Sequence, residues 1–181
     1  MNRISQGALV GAISKVRSMD LAQKEQLADE IFQNQPHMLG SCLVQKQLGV
    51  SLDKMDFLLE ILFICYQAMK ESGLRWPCIT EDEQDRQLSR YAATVRFGED
   101  VGTALHDSAM KQYIEAHPEK GLLAFNNAEI VNWLSRGIAE EKDKYVFLAA
   151  INFVNCMAFV SIPEAGNHGD PDGDDVDRLP S

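Results

Sequence analysis

Two stretches of this chain, Phe57 to Tyr66 and Tyr145 to Ile162, are almost free of charge; Glu60 is the one charged residue in the first, and the second has none. Helices that are apolar on nearly every face belong inside a bundle, with the rest of the protein wrapped around them. The second stretch approaches the length of a membrane span, about 20 residues. Asn152 and Asn155 interrupt it, however, and the helices around it read as amphipathic, so no membrane is expected. The two amides are expected to find hydrogen-bond partners, because a buried amide left unpaired costs about 1 to 3 kcal/mol.

The two stretches align with each other at an offset of 90, pairing Lys54 with Lys144, Phe57 with Phe147, Leu58 with Leu148, Ile61 with Ile151, Phe63 with Phe153 and Ala68 with Ala158. Upstream, Gln35-Pro36 and His117-Pro118 match at an offset of 82, each after an amphipathic stretch. The pattern is that of two related helical halves, residues 1–73 and 80–162.

The boundary signals between these stretches are helix signals. Arg3 to Arg17 carries Ile4, Leu9, Ile13 and Val16 on one side. Asp20 with Gln23 forms a capping box for a second helix, and Pro36 opens a third that stops at Gly49. Ser51 caps the fourth and Gly73 ends it. Thr80 with Glu83 starts a fifth running to about Phe97, which Gly98 separates from a sixth ending at His117. Pro118 leads into a seventh to about Arg136, and the eighth follows Glu140 to Lys144. No run of alternating β-branched residues suggests a strand. The expectation is an all-α protein of about eight helices in a single bundle-like domain over residues 1–162. Residues 163–181, rich in Pro, Gly and Asp, are expected to be an acidic disordered tail.

A chain of 181 residues with 45% hydrophobic content can bury a sizeable core. Its net charge of −10 divides evenly: the tail from Glu164 has six acids against Arg178, a net of −5, and leaves −5 for the body. A mildly acidic body argues against a nucleic-acid binder, which needs a basic footprint. Cys42, Cys65, Cys78 and Cys156 form no CxxC pair and read as buried apolar residues of a cytoplasmic protein, not as a disulfide framework or zinc site.

The chemistry-bearing residues give no catalytic constellation. At 100° per residue Asp53, Asp56, Glu60, Gln67 and Glu71 fall on one stripe, which places Glu60 on the wet edge of its helix. Asp53 with Asp56, and Asp82 with Asp85, have the i, i+3 spacing of helix-borne magnesium ligands, but each pair lies in a first helical turn, where acids offset the helix dipole. His106 and His117 are too far apart along a helix to share an ion, and are expected at the surface or as caps. No nucleophile elbow, phosphate loop or cofactor motif is present. Cys78, in the loop beside Trp76, has no visible base to activate it. Contact surface remains: Trp76 in a loop and the Arg86–Arg90 pair are the candidate partner-binding residues, while Trp133 is expected to complete a core face.

The sequence therefore predicts a non-catalytic protein-binding regulator or inhibitor, of the immunity-protein or antitoxin kind or a regulatory subunit, with a basic protein as partner. Two alternatives stand beside it. One is a metal-dependent hydrolase using Asp53, Asp56, Asp82 and Asp85. The other is a helical small-ligand module with a pocket between the two apolar helices.

Overall fold

The computed structural model describes residues 2–100, 111–137 and 140–163, and among them every regular element is helical. The elements are α1 (Gln6–Ser18), α2 (Leu21–Asn34), α3 (Pro36–Leu43), a 3-10 turn (Val44–Lys46), α4 (Leu52–Glu71), α5 (Glu81–Asp100), α6 (Lys120–Leu134) and α7 (Asp143–Phe159). Residues 111–116 are helical as well. Among the described residues no helix is long and apolar enough to cross a membrane. The expected tail lies outside the described residues.

The two apolar stretches are the centre of the bundle. Every residue from Ile61 to Met69 on α4 and from Ala150 to Ala158 on α7 is buried, and the two helices pack against each other. Neither presents a polar face along these lengths, so each needs covering on all sides. α1 lies on α4, α5 and α6 lie on α7, and α3 touches both.

The local signals set most of the helix ends. Asp20 and Gln23 form the full capping box, with reciprocal bonds of 2.9 and 3.0 Å. At Thr80 only half of a box forms: its hydroxyl accepts the Glu83 N–H at 3.2 Å, while the Glu83 carboxylate turns to Arg86 and Gln87. Gly49 adopts φ 79° in the turn before α4, a conformation that strains an L side chain. Lys142 closes over the same turn, its ammonium donating to the Gly49 carbonyl at 3.2 Å.

Three boundaries and one burial differ from expectation. α1 starts at Gln6, where Ser5 is extended and its hydroxyl accepts the Ala8 N–H as the cap, while the Arg3 and Ile4 N–H groups before it donate to Glu119. α3 ends at Leu43 and tightens into the 3-10 turn before reaching Gly49. α5 runs on to Asp100 with Gly98 inside it, the glycine being tolerated within the helix. Gln67, assigned by periodicity to a wet stripe, is buried, because α1 crosses α4 at that level with its Ala12 and Val16 fully enclosed. The Gln67 amide answers this by donating to Glu71 Oε1 at 2.6 Å.

Polar ties fasten both ends of the central pair. At one end Lys54 on α4 bonds Asp143 and, at 3.0 Å, Glu140, while Asp143 also accepts the Glu140 N–H at 2.8 Å. At the other, the Arg3 guanidinium donates to the Met157 and Val160 carbonyls at 2.9 and 2.6 Å, satisfying groups that the last turn of a helix leaves open. In urea denaturation Lys54→Met and Asp143→Asn should each lower stability. A double-mutant cycle should give a coupling of about 1 kcal/mol, and strict additivity would show that the pair does not join α4 to α7.

Candidate functional site

The residues singled out by sequence occupy separate places. Trp76 is half-buried against the core, and its indole N–H donates to Ser72 Oγ at 2.9 Å and to the Met69 carbonyl at 3.1 Å, so the ring closes the C-terminal end of α4. Arg3 stands over the ring at 6.0 Å. Arg86 is exposed and bonded to Glu83, and the Arg90 guanidinium lies 4.2 Å over the Phe159 ring. Asp53, Asp56, Asp82 and Asp85 are all exposed. The first two border different hollows along α4, and Asp85 borders a third beside α3. Among the described residues no three His, Cys, Asp or Glu side chains are placed to share a metal ion.

The feature that sequence reasoning missed lies on the outer face of α4. Phe57 stacks flat on Trp133 of α6, with centroids 4.6 Å apart and planes 3° from parallel. Two hollows open on either side of this stack in the seam between α4 and α6. One, of about 410 Å³, is lined by Arg17, Phe57, Glu60, Glu129 and Trp133 among others; the next, of about 340 Å³, by Ser51, Asp53, Lys54, Trp133 and Leu134. Trp133 and Arg136 line both, so the two hollows adjoin at these side chains. Trp133 thus does pack against the core, as its pattern suggests, while its other side lines open space.

Across a ridge formed by Asp53, Asp56 and Glu60, a further hollow of about 400 Å³ lies between α4 and α2, lined by Leu21, Ala28, Leu59 and Phe63 with Lys24, Glu25, Asp56 and Glu60. Apolar side chains line these hollows in the open: Leu21 is 74% and Leu134 37% exposed. Single exposed aliphatics are ordinary on a protein surface, but their concentration around apolar hollows is what marks contact sites. The charges here are mostly committed. Arg17 reaches Glu129 at 2.9 Å and Glu60 at 3.8 Å, and Lys54 is held by Asp143 and Glu140. Asp53 and Asp56 have no ion-pair partner among the described residues.

Apart from the Lys54–Asp143 pair, which lines the second hollow, the perturbed titratable groups lie elsewhere. His117, expected at the surface or as a cap, is buried and is a cap: Nδ1 accepts the Glu119 N–H at 3.1 Å just before α6. Nδ1 is therefore unprotonated, and Nε2–H is left to donate to Asn155 Oδ1 at 3.2 Å. Tyr113 donates to the same oxygen at 2.5 Å. Burial lowers the His117 pKa, against the two hydrogen bonds, and the nearby Arg90 charge lowers it further. Burial raises the Glu119 carboxyl, opposed by the N–H groups of Arg3 and Ile4 and by the Arg3 charge, and pushes Tyr113 up to about 12. Asn152 donates to the Gln84 carbonyl at 3.0 Å. Cys65 and Cys156 are pushed up to about 12 by burial, and Cys42 is raised as well, so these three thiols stay protonated and unreactive. Cys78 is exposed.

No protein-family model, curated protein or solved structure matches this chain.

The sign of the His117 effect is fixed by linkage. The unfolded chain takes up the histidine proton near 6.5 and the folded protein only at lower pH, so stability falls as pH drops through 6.5. Glu119 acts in the opposite sense below neutrality, because its folded carboxyl takes up a proton at a pH above the ordinary 4.5. On a Glu119→Gln background, urea titrations at neutral pH and about pH 5.5 should therefore show a loss of stability in acid that His117→Asn reduces. Equal pH dependence with and without the histidine would remove it as the cause.

Proposed function

We propose that this chain acts without catalysis, by binding another protein through the outer face of α4, as an inhibitor or regulatory subunit does. The observation that carries the reading is the pair of adjoining hollows beside the Phe57–Trp133 stack, with the exposed Leu134 lining one of them. An aromatic pair already ordered by the fold gives contact area at little entropic cost, and anchors of this kind carry most of the energy in protein interfaces. The acidity of the body supports a protein partner over a nucleic acid. A basic partner fits it best, and its association would be speeded by charge.

The separation of the acidic pairs supports the non-catalytic reading, since a hydrolase of the magnesium type needs several carboxylates around one cleft. The filled interior between α4 and α7 supports it over a ligand module: Leu58, Ile61, Ile151 and Val154 are buried there, the Asn155 oxygen accepts from Tyr113, and the Asn152 amide donates to Gln84 although its own oxygen has no partner. The sequence-derived surface around Trp76, Arg86 and Arg90 is the weaker candidate, because each of these side chains is already engaged within the fold.

Affinity capture with the full chain from native lysate at low salt should retain a stoichiometric protein. Leu134→Glu should release it, while Trp76→Phe and Arg86→Ala should not. Retention by the Leu134→Glu variant would move the interface away from the α4–α6 seam. Magnesium should leave the melting temperature within about 1 °C, whereas a rise of several degrees at millimolar metal would favour the hydrolase reading.

A further inference from the structure

We infer that the seam between α4 and α6 receives a short basic amphipathic helix of the partner; this rests on the protein-binding reading above and specifies its occupant. The shape of the seam points to a helix. Its two hollows run beside α4 from Ser51 to Ile61, about 15 Å at 1.5 Å per residue, or close to three helical turns. An incoming helix would set apolar side chains at i, i+3 or i+4, and i+7 against the Phe57–Trp133 stack and Leu134.

Charge selects the kind of helix. The cations Arg17 and Lys54 are already held by Glu129 and by Asp143 with Glu140, which leaves Arg136 as the seam's cation without an ion-pair partner among the described residues. Against it stand Asp53 and Asp56, both unpaired among the described residues, and Glu60, which meets Arg17 only at 3.8 Å. Lysine or arginine stems are long enough to cross the ridge and keep their heads on these carboxylates while their methylenes cover apolar surface. A second copy of this chain is disfavoured as the occupant, because two bodies of like charge would bring the same acidic ridge toward each other. An acidic segment meets the same repulsion.

The test is selection from a displayed library of random peptides of about 16 residues, long enough for the seam, on the immobilised full chain. Counter-selection uses the Leu134→Glu variant, whose change is on an exposed residue of the seam. Binders that depend on the seam should be enriched in Lys and Arg, with apolar residues at helical spacing. Their affinity should fall about threefold to tenfold on Asp53→Asn/Asp56→Asn and should weaken as salt rises. Seam-dependent binders with no basic excess, or equal binding to the Asp53/Asp56 variant, would overturn the basic helix while leaving the protein-binding reading in place. Absence of any seam-dependent binder would overturn both.

Discussion

The packing of α4 against α7 is the constraint from which the rest of the molecule follows. Burying a large apolar side chain is worth about 1.5 to 3 kcal/mol, and the two helices together contribute Leu58, Ile61, Leu62, Ile64, Ile151, Phe153 and Met157 to the fully enclosed interior. A pair of helices with no wet side along these lengths cannot stand alone. α1, α3, α5 and α6 are amphipathic or mixed, and their places are set by the need to cover that pair. The polar ties at the two ends then fix registration: Lys54 with Asp143 where the pair begins, and Arg3 with the Met157 and Val160 carbonyls where it ends.

Cover is complete over the second half of α4 and incomplete over the first, and that asymmetry produces the candidate site. α1 crosses α4 at the level of Gln67 and ends near Glu60, where Arg17 bridges to Glu129 on α6. Toward the start of α4, α2 and α6 flank the helix without meeting over it. The Asp53–Asp56–Glu60 ridge is left in water, with apolar hollows on both sides. The same helix is therefore core at one end and contact surface at the other. A partner that completes the cover would extend the logic by which the bundle itself folds.

How much of this was legible in the sequence depended on the range of the interactions involved. The all-helical class, the two buried helices, the Asp20 box and the wet position of Glu60 rest on contacts within a turn or two, where periodicity and capping rules apply. Gln67 was misplaced because periodicity records the symmetry of one helix and carries no information about where α1 crosses it. His117 was half-read: the capping role is local, but its burial depends on Asn155 and Phe159, on a helix distant in sequence. The Phe57–Trp133 stack left no local trace, since each residue alone fits an ordinary core-facing position. Trp76 had the reverse fate. Its loop setting suggested a free anchor, and the fold uses its N–H to close the end of α4.

The distribution of polar chemistry separates what holds the fold from what is free to act. Nearly every perturbed group, including His117, Glu119, Tyr113 and the three enclosed thiols, is buried in contacts that satisfy its own helix ends or core neighbours. Perturbed titration at catalytic sites goes with a cleft that admits a substrate; of the perturbed groups only Lys54 and Asp143 line these hollows along α4, and they are bonded to each other. Those hollows are otherwise lined by a stacked aromatic pair, aliphatic edges and carboxylates left without cations. Such a surface can do little to a bond, but it can hold a complementary chain by desolvating its apolar face and neutralising its charges. Energy for that association comes from the same incomplete burial of α4 that leaves the ridge exposed, so the site and the fold share one physical origin.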